Sequence, residues 1–160
     1  MKNLITLIAF LVISNTMLSQ GFINMTVTGN WVKSLTESDI IGAGNDYKTS
    51  YESIDGQTLL TINPNNKNNM VHVYVTRSND DWNDNLLLKV KRTSNGNNST
   101  VNGSIMYQLI TNASPLSGAM KLFTCYDNVT NMTLQYEITG ISVLLPVKSY
   151  STTITYTVMY

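Results

Sequence analysis

The sequence has few of the side chains that most enzymes and metal sites use. Its 160 residues include one histidine, one cysteine and three glutamates. The histidine, His72, lies in an apolar run with no carboxylate within three residues, whereas catalytic histidines usually have such a partner. Cys125 has no second cysteine to bridge, so stability in an oxidising compartment must come from packing. No nucleophile elbow or phosphate loop is present. We therefore predict a protein that is not an enzyme and uses no cofactor.

Charge and long apolar runs are scarce as well. Charged residues make up 12% of the chain, with ten basic and ten acidic side chains. A nucleic-acid-binding protein needs a basic stripe, and the nearest candidate here, Lys89, Lys91 and Arg92, is short. The longest apolar run, Leu4 to Ile13, has roughly ten residues, while a membrane span needs about twenty. We predict no nucleic-acid partner and no membrane span.

The N-terminus has the order of a secretory signal peptide. Lys2 supplies a positive charge, residues 4–13 are apolar apart from Thr6, and residues 14–20 are more polar. We expect residues 1–20 to be removed, with the cut after Ser19 or Gln20, and residues 21–160 to form one domain. No cysteine lies near the cut to carry a lipid. The expected location is the periplasm, the cell surface or the extracellular space.

What the sequence does contain is a series of short segments rich in Thr, Tyr and Val, separated by Asn-rich turns. About nine such segments follow one another at spacings of roughly 8 to 15 residues, with no amphipathic helix of useful length. This pattern predicts an all-β fold, an antiparallel two-sheet sandwich of the Ig-like or jelly-roll-like kind. The residues predicted in its core are Trp31, Val71, Val73, Val75, Leu86, Leu88, Leu134, Ile154 and Val158; either face of the 70–76 segment could be the buried one.

Three local predictions accompany this architecture. Residues 25–32 should form a first strand, with Gly29 at a bulge or a close backbone approach. Asp55-Gly56 should turn a hairpin between the segments 47–54 and 58–62. Thr36 should cap at most one helical turn in the loop after Leu35.

The last segment has the clearest pattern of all. Every second residue from Tyr150 is aromatic or β-branched, and the residues between them are mainly Ser and Thr. One face of this strand should lie in the core, and no charge protects the segment from Ser149 onward. We therefore predict that it either lies inside a sheet or forms an assembly strand that pairs with another chain: Tyr150, Thr152, Ile154, Tyr156 and Val158.

One loop offers weak candidates for binding. Asp80, Asp81 and Asp84 could hold calcium through their carboxylates, although the spacing matches no established calcium loop and solvated turn residues explain it better. Trp82, with Asn83 and Asn85, could stack against a sugar ring. The alternative interpretation of Trp82 is a loop anchor folded over the edge of the sandwich.

The segment Pro146–Val158 resembles the closing strand of secreted bacterial pilin and coat-type subunits, of the spore-coat-U and chaperone-usher kinds. A tyrosine ahead of a Thr/Val alternation carries the resemblance, which covers about fifteen residues. It implies an exported Ig-like sandwich that polymerises by strand exchange, with adhesion or biofilm roles. The chain departs from these families in lacking their disulfide pair and in having little sequence between the expected cut and the first strand.

We thus expect a secreted, non-enzymatic structural or adhesion protein whose partner is a second copy of itself. A glycan-binding module that uses the loop aromatics is the first alternative, with surface glycans as partners. A secreted hydrolase or inhibitor is the second.

Overall fold

The chain folds into two packed β-sheets, which confirms the predicted all-β sandwich. The structure, a computed structural model, describes residues 22–42, 46–65, 69–97, 100–113 and 117–160, and the backbone alone for residues 5–13. Within these ranges there is no α-helix. Eleven strands follow in chain order: β1 Ile5–Ile13, β2 Ile23–Thr28, β3 Trp31–Leu35, β4 Ser50–Glu52, β5 Thr58–Pro64, β6 Val71–Arg77, β7 Leu87–Arg92, β8 Gln108–Leu109, β9 Met120–Cys125, β10 Val129–Thr139 and β11 Tyr150–Met159.

The strands form two sheets of different composition. Sheet I has the strand order β3, β1, β11, β6, β9, and sheet II has the order β2, β5, β10, β7, β8, with β4 also paired to β10. Every strand pair is antiparallel except β1 with β11, which run parallel. The terminal strand β11 is therefore the central strand of sheet I.

Side-chain alternation decides which face of each strand is buried, because successive residues of a strand point to opposite faces. In β6, Val71, Val73 and Val75 are fully buried while His72 and Tyr74 are half-buried. This settles which face of that strand meets the core. The predicted core is confirmed at eight positions, and the ninth, Val158, is half-buried.

The predicted first strand is divided at Gly29 into two strands in different sheets. The φ angle of Gly29 is +131°, and a Cβ built on this residue would lie 2.2 Å from the carbonyl oxygen of Gln57. Only glycine fits both conditions. The predicted close approach at Gly29 is confirmed, but the single strand 25–32 is wrong, because the chain crosses from sheet II to sheet I there.

The predicted hairpin around Asp55-Gly56 is also wrong. Strands β4 and β5 do not pair with each other; both pair with β10, at residues 137–139 and 129–134 respectively. They lie end to end along the same edge of β10, with the turn at 55–56 between them. An Asp-Gly turn fits either arrangement, and the long strand β10 decides between them by offering one continuous edge.

Two shorter predictions have opposite outcomes. Thr36 does cap a single 3-10 turn, Glu37–Asp39, and its backbone N–H donates to Asp39 Oδ2 at 2.9 Å. The strand predicted over 104–110 shrinks to the two residues of β8. The Ser104 hydroxyl accepts the Met106 N–H at 3.0 Å, so a local turn competes with the ladder.

A tyrosine pair links the two sheets through the core. The hydroxyl groups of Tyr136 on β10 and Tyr156 on β11 lie 2.8 Å apart, and Tyr136 also donates to Thr58 Oγ1 at 2.8 Å. All three residues are buried. Because each hydroxyl has a partner, the cluster holds sheet I in register with sheet II without leaving an unsatisfied polar group.

We expect Tyr136→Phe to cost about 2–3 kcal/mol in the free energy of unfolding, because it leaves the hydroxyls of Thr58 and Tyr156 without a partner. Tyr156→Phe should cost only about 1 kcal/mol, since Tyr136 keeps its bond to Thr58. Urea denaturation of both variants measures the difference, and equal losses would contradict the position of Tyr136 as the member of the cluster with two partners.

We also expect stability to fall as the pH rises above about 10. Burial raises the pKa of both Tyr136 and Tyr156 above the ordinary value of 10.0. Above that value the unfolded chain releases protons that the folded chain retains, so the unfolded state gains stability with pH. Denaturation between pH 8 and 11 measures the loss. Tyr156→Phe should show a shallower decline than the wild type, and an unchanged slope would rule the buried pair out as its source.

Candidate functional site

The terminal strand β11 has neighbours on both sides. On one side β6 pairs with residues 154–159. The loop after β6 continues that edge, since Ser78 N donates to Thr153 O at 2.8 Å and Asp81 exchanges two backbone bonds with Ser151 at 3.3 Å. On the other side, residues 150–156 pair in parallel with Leu7–Ile13 of β1.

The position between β3 and β11 that β1 occupies is the candidate site, which we call the slot. Its second wall is β3, which pairs with β1 from Ile5↔Leu35 to Ala9↔Trp31. In the described part of the chain β3 pairs with no other strand. The slot is therefore one strand wide, with two interstrand spacings of about 4.8 Å from wall to wall.

At the start of β11, the backbone N–H and C=O groups that do not bond to the loop 78–81 point towards the slot. Ser151 and Thr153 turn their N–H and C=O groups to the loop 78–81. The groups of alternate residues in a strand point to opposite edges, so Tyr150, Thr152 and Ile154 turn theirs to β1. These groups need a strand in the slot, or water, to be satisfied.

The side chains of β11 match the predicted faces as far as Tyr156, whereas Thr157 on the opposite face is buried as well. Tyr150, Thr152, Ile154 and Tyr156 are buried and Val158 is half-buried. Two of them bond to the chain around them, Tyr150 Oη to Pro146 O and Thr152 Oγ1 to Ser78 O, both at 2.7 Å. The intervening residues up to 155 are half-buried Ser and Thr on the outer face of sheet I.

The wall β3 pairs with β1 and also has side-chain contacts to sheet II and the adjoining loop. The Trp31 ring stacks on Tyr136 with centroids 6.3 Å apart and planes 13° from parallel. Lys33 Nζ pairs with Asp39 at 3.1 Å and lies 4.8 Å from the centroid of Tyr51. These side-chain contacts do not involve β1, whereas the backbone of β3 pairs with β1 alone in the described residues.

The stretch that fills the slot is the one expected to be the signal peptide. The expected cleavage point after residue 19 or 20 lies outside the described residues. Strand β1 also fits its neighbours on one face only, since Leu7, Ala9 and Leu11 are at the register positions of the buried residues Tyr150, Thr152 and Ile154. The alternate positions Ile8, Phe10 and Val12 lie beside Ser151, Thr153 and Thr155, where a resident strand would be polar.

The loop 80–85 separates its acidic residues. Asp80 accepts hydrogen bonds from Ser78 and Thr153, Asp81 pairs with Lys148, and Asp84 lies 3.8 Å from Arg77. Across the residues that the structure describes, no group of three His, Cys, Asp or Glu side chains could hold a metal ion. The three aspartates predicted as weak calcium ligands are thus each directed to a different partner.

Trp82 lies in the position of a loop anchor. Its side chain is buried, its Nε1 donates to Leu86 O at 2.7 Å, and the Arg77 guanidinium lies 5.6 Å from its ring centroid. It offers no open aromatic face to a sugar. Asn85 is exposed and Asn83 half-buried, and Asn83 Oδ1 accepts the Asn85 N–H at 2.9 Å, so both shape the turn.

The remaining candidates are dispersed. His72 is half-buried on the outer face of sheet I, 6.4 Å from the ring of Tyr74. Cys125 is fully buried at the edge strand β9, and burial raises the pKa of its thiol to about 11. The two residues lie on opposite faces of sheet I, so they do not form a nucleophile and base.

Sequence reasoning missed the slot because its parts are far apart in the chain. The walls β3 and β11 are more than a hundred residues apart in the chain. They lie in one sheet only because β1 pairs with both of them. The apolar run 4–13 was the one available signal for β1, because a run of this composition fits a buried strand as well as a signal peptide.

The architecture defines a class of protein, the two-sheet all-β sandwich. No known family model matches the chain, and no curated protein matches it either. None of the described helical segments is long and apolar enough to cross a membrane.

We expect Trp82→Ala to lower the free energy of unfolding by about 3 kcal/mol, because it leaves a cavity beside Arg77 and Leu86. Trp82→Phe should cost about 1 kcal/mol through the lost hydrogen bond to Leu86. Leu144→Ala, at a residue 89% exposed, is the matched control and should change stability by less than about 0.5 kcal/mol. Thermal unfolding of all three tests the anchor, which a neutral Trp82→Ala would contradict.

Proposed function

We propose that this protein is a secreted, non-enzymatic structural subunit of a bacterial surface or extracellular assembly, which it joins by accepting a strand from another chain into the slot. One observation carries the proposal: the position between β3 and β11 is filled by Ile5–Ile13, the stretch that the sequence marks as a signal peptide. Export with cleavage removes that strand and leaves the slot open.

An open slot favours strand addition on backbone grounds. Without β1, residues 150–156 have unpaired N–H and C=O groups along one edge, and the facing edge of β3 has them too. An incoming strand satisfies both edges at once, whereas addition to an ordinary sheet edge satisfies one. The slot is thus a stronger acceptor than any outer edge of the sandwich.

The surroundings of the slot support the same use. Edge strands that must not pair carry charges or prolines, and β11 has neither. The chain carries no charge after Lys148. An unprotected edge of this length pairs with unrelated chains unless a specific partner covers it. An assembly subunit has such a partner.

The proposal predicts a difference between the secreted chain and the chain 1–160 retained in the cytoplasm. Mass spectrometry of the secreted protein should find an N-terminus near residue 21. That form should melt several degrees lower and associate with rising concentration in sedimentation velocity, because its slot is open. The retained chain should be monomeric, since β1 fills its slot.

Two variants of the retained chain provide the matched control. Leu11→Asp, at the register position of the buried Ile154, should reproduce the behaviour of the secreted form, because a charge cannot be placed in that core. Phe10→Asp, at the position of Thr153, should leave the chain monomeric. A secreted chain that keeps residues 5–13, or that equals the retained chain in stability and mass, would overturn the proposal.

A further inference from the structure

We propose that the slot selects its incoming strand by size, and that Trp31 and Thr152 together require a small residue at the fifth of nine positions. This inference rests on the proposed function, since it concerns the strand that the open slot accepts. It starts from the register of β1, which places Ala9 opposite Trp31 on one wall and opposite Thr152 on the other.

The fifth position is the only one enclosed by two fixed, buried side chains. Trp31 is held by its stack on Tyr136, and the hydroxyl of Thr152 is held by the carbonyl of Ser78. Directly opposed residues on neighbouring strands have Cβ atoms about 5 Å apart, so a residue at this position meets the indole on one side and the threonine on the other. Both neighbours are restricted, because both are buried, Trp31 is stacked on Tyr136 and Thr152 is hydrogen-bonded to Ser78.

The other core-side positions have more space. At the third position the β3 neighbour is Lys33, which is half-buried and directs its Nζ to Asp39. The seventh and ninth positions lie beside Ile154 and Tyr156 but beyond Trp31, where β3 begins, so they have a strand on one side only. Large apolar residues fit there, and Ile, Leu, Leu and Ile occupy these four positions of β1.

The even positions set a second requirement. They lie beside Ser151, Thr153 and Thr155 on the half-buried outer face of sheet I. An outer face of this kind favours hydroxyl or amide side chains. The strand that the slot fits is therefore nine residues long and parallel to β11, with large apolar residues at positions one, three, seven and nine, a small residue at five and polar residues between.

This pattern identifies the source of the strand as a different protein. No nine-residue stretch of residues 21–160 has apolar residues at those four positions and Gly, Ala or Ser at the fifth. The nearest stretches each have a polar residue at one of the four positions, and two of them, Met25–Lys33 and Tyr136–Leu144, overlap strands of the sandwich. A second copy of the chain thus has no segment that matches the slot, so copies of the chain can pair only through their open edges. The matched partner is a protein with such a strand at an accessible terminus or loop.

The first test uses the secreted chain and synthetic peptides and needs no protein variant. The parent peptide has the sequence Ile5–Ile13 with Ile8→Thr, Phe10→Thr and Val12→Thr, flanked by lysines for solubility. Isothermal titration calorimetry should show it binding one to one and removing the concentration-dependent association. Leucine in place of alanine at the fifth position should weaken binding at least about tenfold, because overpacking a fixed site is unfavourable. Leucine at the fourth position, on the outer face, is the control and should bind like the parent.

The outcomes separate the two proposals. If no peptide binds, the slot is not an acceptor and the proposed function fails. If the peptides with alanine and leucine at the fifth position bind equally, or leucine binds better, the size selection fails while the acceptor function stands. Trp31→Phe gives a second measure, since a smaller ring should recover part of the affinity for leucine at the fifth position. If a folded Trp31→Phe variant does not bind the peptide with leucine at the fifth position more tightly than the wild type does, Trp31 is not the selecting residue.

Discussion

Pairing of β11 on both sides is the interaction on which the rest of this structure depends. Strand β11 is the centre of sheet I, and its buried tyrosine joins sheet I to sheet II through Tyr136. The loop 78–81 is shaped by its bonds to the start of the strand. One edge of this strand pairs with β6 and the loop after it, and the other edge pairs with β1, near the opposite end of the chain. The backbone groups that complete the fold are therefore the same ones that the proposed function uses.

The two walls of the slot have different supports, and this difference explains how the site can persist. The wall β11 belongs to a ladder with β6 and β9, whereas β3 has a ladder with β1 alone in the described residues and otherwise has ring stacking, an ion pair and its connection to sheet II. Gly29 is the corner that makes this possible, because it allows β2 and β3 to lie in different sheets. In the proposed function, the side-chain contacts of β3 and the ladder of β11 would reduce the free energy lost to ordering the protein when a strand enters.

The sequence was sufficient for those features that local alternation controls. The sandwich class, the buried face of β11 and most of the core follow from period-two patterns at positions such as Leu134 and Ile154. The pattern could not reveal which strands are neighbours. Asp55-Gly56 looks like a hairpin turn in isolation, and only the long edge of β10 makes it a turn between two strands that lie end to end, β4 and β5. The slot could not be predicted from the sequence for the same reason, since its walls meet only through long-range pairing.

The direction of β1 has a mechanical consequence. A strand between β3 and β11 has a ladder on each side, and its axis runs along both. Tension applied along that axis loads all the cross-strand hydrogen bonds together, in shear, instead of opening them one after another from an end. Because the bonds must then break almost simultaneously, a link of this geometry resists pulling far better than its equilibrium affinity alone indicates. The orientation of one strand thus determines how well such a joint bears force.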